Sequence, residues 1–192
     1  KAFDARSPHL IRYLKRFASP ALDVLLDELM SVYRRPDRLV GDAHKPGRFH
    51  AQLMTVGIRR LARVNPEKAR QALINASPVQ PFSDLELDAM NSLIARHSLF
   101  AQSSAPDAWL MENLERFRDY ELTAIYLRNQ IAEGHWQHLL DGIRWLSPAV
   151  QGEDLWTYWQ ARAIEALQGM EKATPLYRRL AKQRSYHGFL AA

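Results

Sequence analysis

At 192 residues, with 47% hydrophobic and 24% charged side chains, the chain has the make-up of a folded globular protein and is long enough for a sizeable core. It has no cysteine, which excludes disulfides and thiolate metal sites, and no apolar run approaches the roughly 20 residues that span a bilayer. The formal net charge of +5 permits nucleic acid, anionic polymers or membrane surfaces as partners without selecting one.

The first residues, Lys1-Ala2-Phe3-Asp4, carry neither an initiator Met nor an apolar signal core and read as a trimmed end. From there the apolar pattern is helical. Leu22, Leu25, Leu26, Leu29, Met30 and Tyr33 fall on one stripe of an amphipathic helix. Trp136, Leu139, Leu140, Ile143 and Leu146 repeat it, as do Ala173, Leu176, Tyr177, Leu180 and Ala181. Helices are predicted over 8–18, 20–34, 49–64, 66–76, 83–102, 107–117, 120–133, 136–147, 154–168 and 171–184, with another beginning as the chain stops. No sustained alternation of period two argues for a strand.

Helix starts are marked by Ser7-Pro8, Ser19-Pro20 and Asn65-Pro66. Each places a capping side chain before a proline whose missing N–H costs nothing at the first helical position. Ser83 to Glu86 reads as a capping box. Stops fall at Gly134 and Gly169 and in the loops Gly41–Gly47 and Ser103–Pro106. Pro175 implies either that the last helix begins near Thr174 or that its start is distorted.

Turns near Asn65, Ser103, Gly134 and Gly169 recur at roughly 35-residue intervals, a helical-hairpin period. The expected fold is an all-α superhelix, a solenoid of antiparallel helix pairs, forming one domain over 1–192 with its weakest point at Ser77–Ser83. A hairpin of this kind cannot bury its apolar face alone, so the chain reads as part of a longer array.

Chemistry-bearing residues are few. His135 and His138 lie three apart beside Glu133, but no second pair exists to complete a zinc site, so no metal and no cofactor is expected. His97 shares the apolar stripe of Met90 and Ile94 and reads as a satisfied core histidine. Trp156 and Trp159, on one face with Ala163, read as core anchors, although aromatic faces also stack on sugars and bases. Basic runs at Arg34-Arg35, Arg59-Arg60, Arg63 and Arg178-Arg179 read first as solvated helix faces, and second as a positive concave surface. No Ser/His/Asp arrangement, glycine-rich phosphate loop or HExxH motif is present.

The segment from Trp156 to Ala163 (WTYWQARA), followed by Leu176 to Ala181 (LYRRLA) and Tyr186 to Ala192 (YHGFLAA), resembles the end of the superhelical domain of soluble lytic murein transglycosylases. His187 interrupts the usual aromatic-glycine spacing of that family. Phe49 to Leu73 resembles, more loosely, an internal helix pair of the same domain.

The resemblance implies a periplasmic parent enzyme that cleaves peptidoglycan between N-acetylmuramic acid and N-acetylglucosamine, leaving a 1,6-anhydro product. It implies a U-shaped or ring-shaped scaffold carrying a separate lysozyme-like domain, whose catalytic glutamate lies in a Glu-Ser motif. No glutamate of this chain is followed by serine, so no catalytic residue is carried over, and the linker and catalytic domain are expected to follow Ala192. The chain itself is expected to be non-catalytic. It would support the catalytic domain and touch glycan strands or stem peptides through its concave face, with Arg59, Arg60, Arg63, Trp156 and Tyr158 as contacts. Two alternatives stand beside this reading: a protein-interaction module of the tetratricopeptide type, and a basic helical array that binds RNA, although nucleic acid is not the expected partner.

Overall fold

The computed structural model describes residues 8–40, 46–101 and 108–192. Among them are twelve α-helices, one 3-10 turn and no strand. Backbone packing divides the chain into two compact units, Lys1–Ser103 and Ser104–Ala192.

The first unit holds α1 (Pro8–Lys15), α2 (Pro20–Arg34), the 3-10 turn Pro36–Val40, α3 (Arg48–Val64), α4 (Pro66–Ala76) and α5 (Asp84–Ala101). Ser19 caps α2 by accepting from the Leu22 N–H at 3.4 Å, ahead of Pro20. This cap stops α1 short of the expected residue 18, because residue 19 must be extended to begin the next helix. Lys15 ties the two helices together through Asp27 at 2.5 Å and Asp23 at 3.4 Å. Of the α2 stripe, Leu26, Leu29 and Met30 are buried, joined by Val32, while Leu22 opens to solvent.

Asn65 ends α3 and caps α4 at once, its side-chain oxygen accepting from the Lys68 N–H at 2.9 Å. With one residue between them, α3 and α4 fold back antiparallel, and α5 packs on both. Ala51, Leu53, Met54, Ile58, Leu61 and Ala62 of α3 meet Ala69, Ala72 and Leu73 of α4 and Met90, Ile94 and Ala95 of α5 in a closed core. The stretch 77–83 lies inside this unit. Ser77 caps α4, and Ser83 opens α5 with the expected box: its N–H donates to Glu86 at 2.9 Å and its Oγ accepts from the Glu86 N–H at 3.3 Å. The expected starts at Ser7 and the loops near Gly41 and Ser103 fall outside the described residues, except Pro46 and Gly47.

The second unit holds α6 (Ala108–Phe117), α7 (Tyr120–Glu133), α8 (Trp136–Ile143), α9 (Pro148–Gln151), α10 (Asp154–Gln168), α11 (Met170–Leu180) and α12 (Tyr186–Ala191). Gly134 takes the left-handed conformation, φ 72° and ψ 23°. Its N–H reaches the Ile131 carbonyl while His135 N–H reaches that of Gln130, the paired bonds of a Schellman stop. Gly169, at φ 92°, turns α10 into α11. Pro175 does not start α11. The helix runs through it from Met170, and Thr174 Oγ1 bonds the Met170 carbonyl at 2.8 Å. α8 stops at Ile143 instead of 147 because Ser147-Pro148 opens the extra turn α9. α11 stops at Leu180 instead of 184 because Ser185 caps α12, accepting from the Gly188 N–H. α10 packs against α8, α11 and α12, and Trp156, Ala161 and Ala163 fill the space it closes.

Candidate functional site

The sequence-derived contact residues separate into two groups, one in each unit. Arg59, Arg60 and Arg63 stand on the C-terminal half of α3, a helix with no acidic residue along its length. Arg59 and Arg63 are exposed, and Arg60 is half-buried. The Arg60 guanidinium carbon lies 3.6 Å from the centroid of the Tyr33 ring, a cation–π contact across from α2. Its Nε is enclosed and makes no hydrogen bond among the described residues.

The partner helix supplies further positive charge. Arg48 in the first turn of α3 grips Glu86 in the first turn of α5 through both guanidinium nitrogens, each at 2.9 Å. This pair fixes α3 and α5 side by side and parallel. Counting equally from Arg48 and from Glu86 brings Arg59 level with His97. His97 is half-buried and its pKa is lowered, first by burial and then by the positive charges of Arg63 and Arg96. It makes no hydrogen bond among the described residues, so the expected satisfied core histidine is instead a partly exposed ring inside a basic cluster. The sequence signal for that cluster was the hairpin period, which sets α5 beside α3.

In the second unit Trp156 is fully buried. It is a core anchor, and its place as a glycan contact is withdrawn because no face of the ring reaches solvent. Tyr158 is half-buried at the edge of an aromatic cluster. Its ring lies 5.5 Å from Trp159, 6.2 Å from Tyr177 and 5.6 Å from His187, centroid to centroid. Tyr177 donates its hydroxyl to Glu165 at 2.6 Å, and Glu165 also meets Arg162 at 3.3 Å. Ser185 Oγ bonds Asp154 at 2.5 Å, fastening α12 to the start of α10. Beyond these, Tyr186 and Phe189 of α12 are largely exposed.

His135 pairs with Glu133 at 3.0 Å and meets the His138 ring at 5.8 Å. Among the described residues no group of three or more His, Asp or Glu is placed to hold a metal ion. Glu86 is a carboxylate whose pKa departs clearly from the ordinary value, and it is lowered to about 2, by Arg48 first and by the Ser83 N–H next. That is opposite to what a general acid at a glycosidic oxygen requires.

No protein-family model matches the sequence, and no curated protein sequence is similar to it. Solved structures are similar to it. An inactive mutant of lytic transglycosylase Slt from Pseudomonas aeruginosa aligns with 100% of the chain at 28% identity and a TM-score of 0.78. The 70 kDa soluble lytic transglycosylase of Escherichia coli aligns with 96% of it at 18% identity and a TM-score of 0.70, and a 70-kDa soluble lytic transglycosylase in complex with bulgecin A does so at 18% and 0.71. The chain spans about a third of the length of these proteins, 31% of the first and 30% of the others. The sequence resemblance to soluble lytic transglycosylases and the all-α solenoid class are thus both met in the structure.

Proposed function

We propose that this chain is part of the non-catalytic α-superhelical scaffold of a periplasmic peptidoglycan lytic transglycosylase, and that its two units are consecutive parts of one scaffold domain. The observation that carries this reading is the alignment of the whole chain with lytic transglycosylase Slt at 28% identity and a TM-score of 0.78. The parent would cut the bond between N-acetylmuramic acid and N-acetylglucosamine with a glutamate supplied elsewhere. The absence of any Glu-Ser pair supports a supporting role for this chain.

On this reading the chain touches peptidoglycan through Arg59, Arg60 and Arg63 in the first unit and Tyr158 in the second. Arginine forks bind carboxylates and Tyr158 offers a ring to a sugar. The test is co-sedimentation of the purified chain with purified sacculi across a salt series. Binding that falls by about tenfold in the combined Arg59→Ala, Arg63→Ala and Tyr158→Ala variant is the expected result. Absence of sacculus binding at every salt concentration would overturn the contact and leave only a frame for the catalytic domain.

A further inference from the structure

Resting on the cell-wall reading above, we propose that the C-terminal halves of α3 and α5 form a carboxylate site for the peptide branches of peptidoglycan, not for its sugars, with Arg59 and Arg63 as the binding forks and Arg60 as a fixed charge behind them.

Charge balance is the first argument. Arg59, Arg60 and Arg63 stand on α3, and neither α3 nor residues 89–101 of the adjacent parallel α5 contains an acid. Helix C-termini attract cations, but each carries only about half an elementary negative charge. The C-terminus of α3 balances about half the charge of one of its three arginines, and the N-terminus of α4, starting at Pro66, adds positive potential beside them. Glu67, the next carboxylate along the chain, is engaged by Arg70 at 3.8 Å. No ion pair among the described residues engages Arg59, Arg60 or Arg63. An external anion supplies the missing charge.

Geometry is the second argument. Arg59 and Arg63 are one helical turn apart on the same face and exposed, so two forks lie side by side and can engage a carboxylate together. Arg60 is already stacked on Tyr33, which removes much of the ordering cost of a free arginine. The same stacking covers one face of the Tyr33 ring. Arg63 and Arg96 also press on His97 and lower its pKa, alongside burial; no carboxylate on α3, α4 or α5 offsets them at that ring. An anion seated between the forks relieves this repulsion, so the His97 ring reports occupancy.

The test compares binding of the chain to intact sacculi and to glycan strands stripped of their peptides by an amidase, with the double variant Arg59→Ala/Arg63→Ala beside the wild type and circular dichroism as the folding check. The expected result is binding to intact sacculi that drops about tenfold or more on stripping. The double variant should lose as much, and Arg59→Lys/Arg63→Lys should recover part of it. Stem tripeptide should raise the NMR-measured pKa of His97 in the wild type and not in the double variant. Equal binding to stripped and intact strands, with the double variant unaffected, would overturn this site while leaving the cell-wall reading intact. Binding to neither form would overturn both, and preferential binding of RNA would replace both with a nucleic-acid surface.

Discussion

Arg48 and Glu86, in the first turns of α3 and α5, meet in a two-point ion pair with both contacts at 2.9 Å. The same carboxylate accepts the Ser83 N–H, so one side chain closes a helix cap and joins two helices of the stack. A local signal, the capping box, and a non-local one, the pairing of alternate helices, converge on a single residue.

Replacing Glu86 with Gln should therefore destabilise the chain at neutral pH. The shift from 4.5 to about 2 is nominally worth about 3 kcal/mol, but Arg48 is more than half exposed and solvent screens the pair, leaving about 1–2 kcal/mol. A carboxylate with a lowered folded pKa stabilises above its unfolded pKa. The gap between wild type and Glu86→Gln should thus be full above pH 4.5 and close as the pH falls toward about 2. Urea unfolding at a series of pH values measures it, and a gap that does not depend on pH would remove the ion pair as its source.

The helical class and most helix starts were legible because caps are local chemistry: Ser19, Asn65, Ser83 and Gly134 act where the sequence put them. The misplaced ends at Lys15, Ile143 and Leu180 share a cause, since each is set by the start of the next helix, at Ser19-Pro20, Ser147-Pro148 and Ser185, and not by the apolar stripe. Of the candidate site, the three arginines of α3 were found as a charge run, but Tyr33, Arg96 and His97 were not joined to them. That juxtaposition depends on which helices stack, which periodicity within one helix does not encode. Trp156 illustrates the converse problem, because a ring that fills the core and one that meets a sugar look alike in sequence.

Gly188→Ala should loosen α12 from the end of α11. A Cβ at this position would collide with the Gln183 carbonyl oxygen and lie 2.9 Å from that of Leu180, both backbone atoms that cannot swing aside. The helix propensity gained by alanine is about 1 kcal/mol, smaller than an overpacking cost of about 1–3 kcal/mol. Faster amide exchange across Tyr186–Ala191, with α3 to α5 unchanged, is the expected outcome.

Two buried aromatics should respond in opposite ways. Trp156→Ala empties the largest fully buried side chain and should cost about 3–5 kcal/mol. Tyr126→Phe removes a hydroxyl that is enclosed without a hydrogen-bond partner, so it should be neutral or stabilising by up to about 1 kcal/mol. Thermal unfolding of the two variants decides this, and a loss above 1 kcal/mol for Tyr126→Phe would mean that the hydroxyl has a partner in solution.

Tyr177 joins α11 to α10 through its 2.6 Å bond to Glu165, and burial, then that bond, push its pKa up to about 12. Tyr177→Phe should cost about 1 kcal/mol at neutral pH, since the bond is to a charged acceptor but only partly sheltered. The unfolded phenol ionises near 10, so the folded form is favoured below that value and the advantage disappears as the pH rises toward about 12. The unfolding temperatures of wild type and variant should therefore converge between pH 10 and 12. Convergence at lower pH would mean that Glu165 does not hold the hydroxyl in solution, and would leave the ring contact with Tyr158 as the link between the two helices.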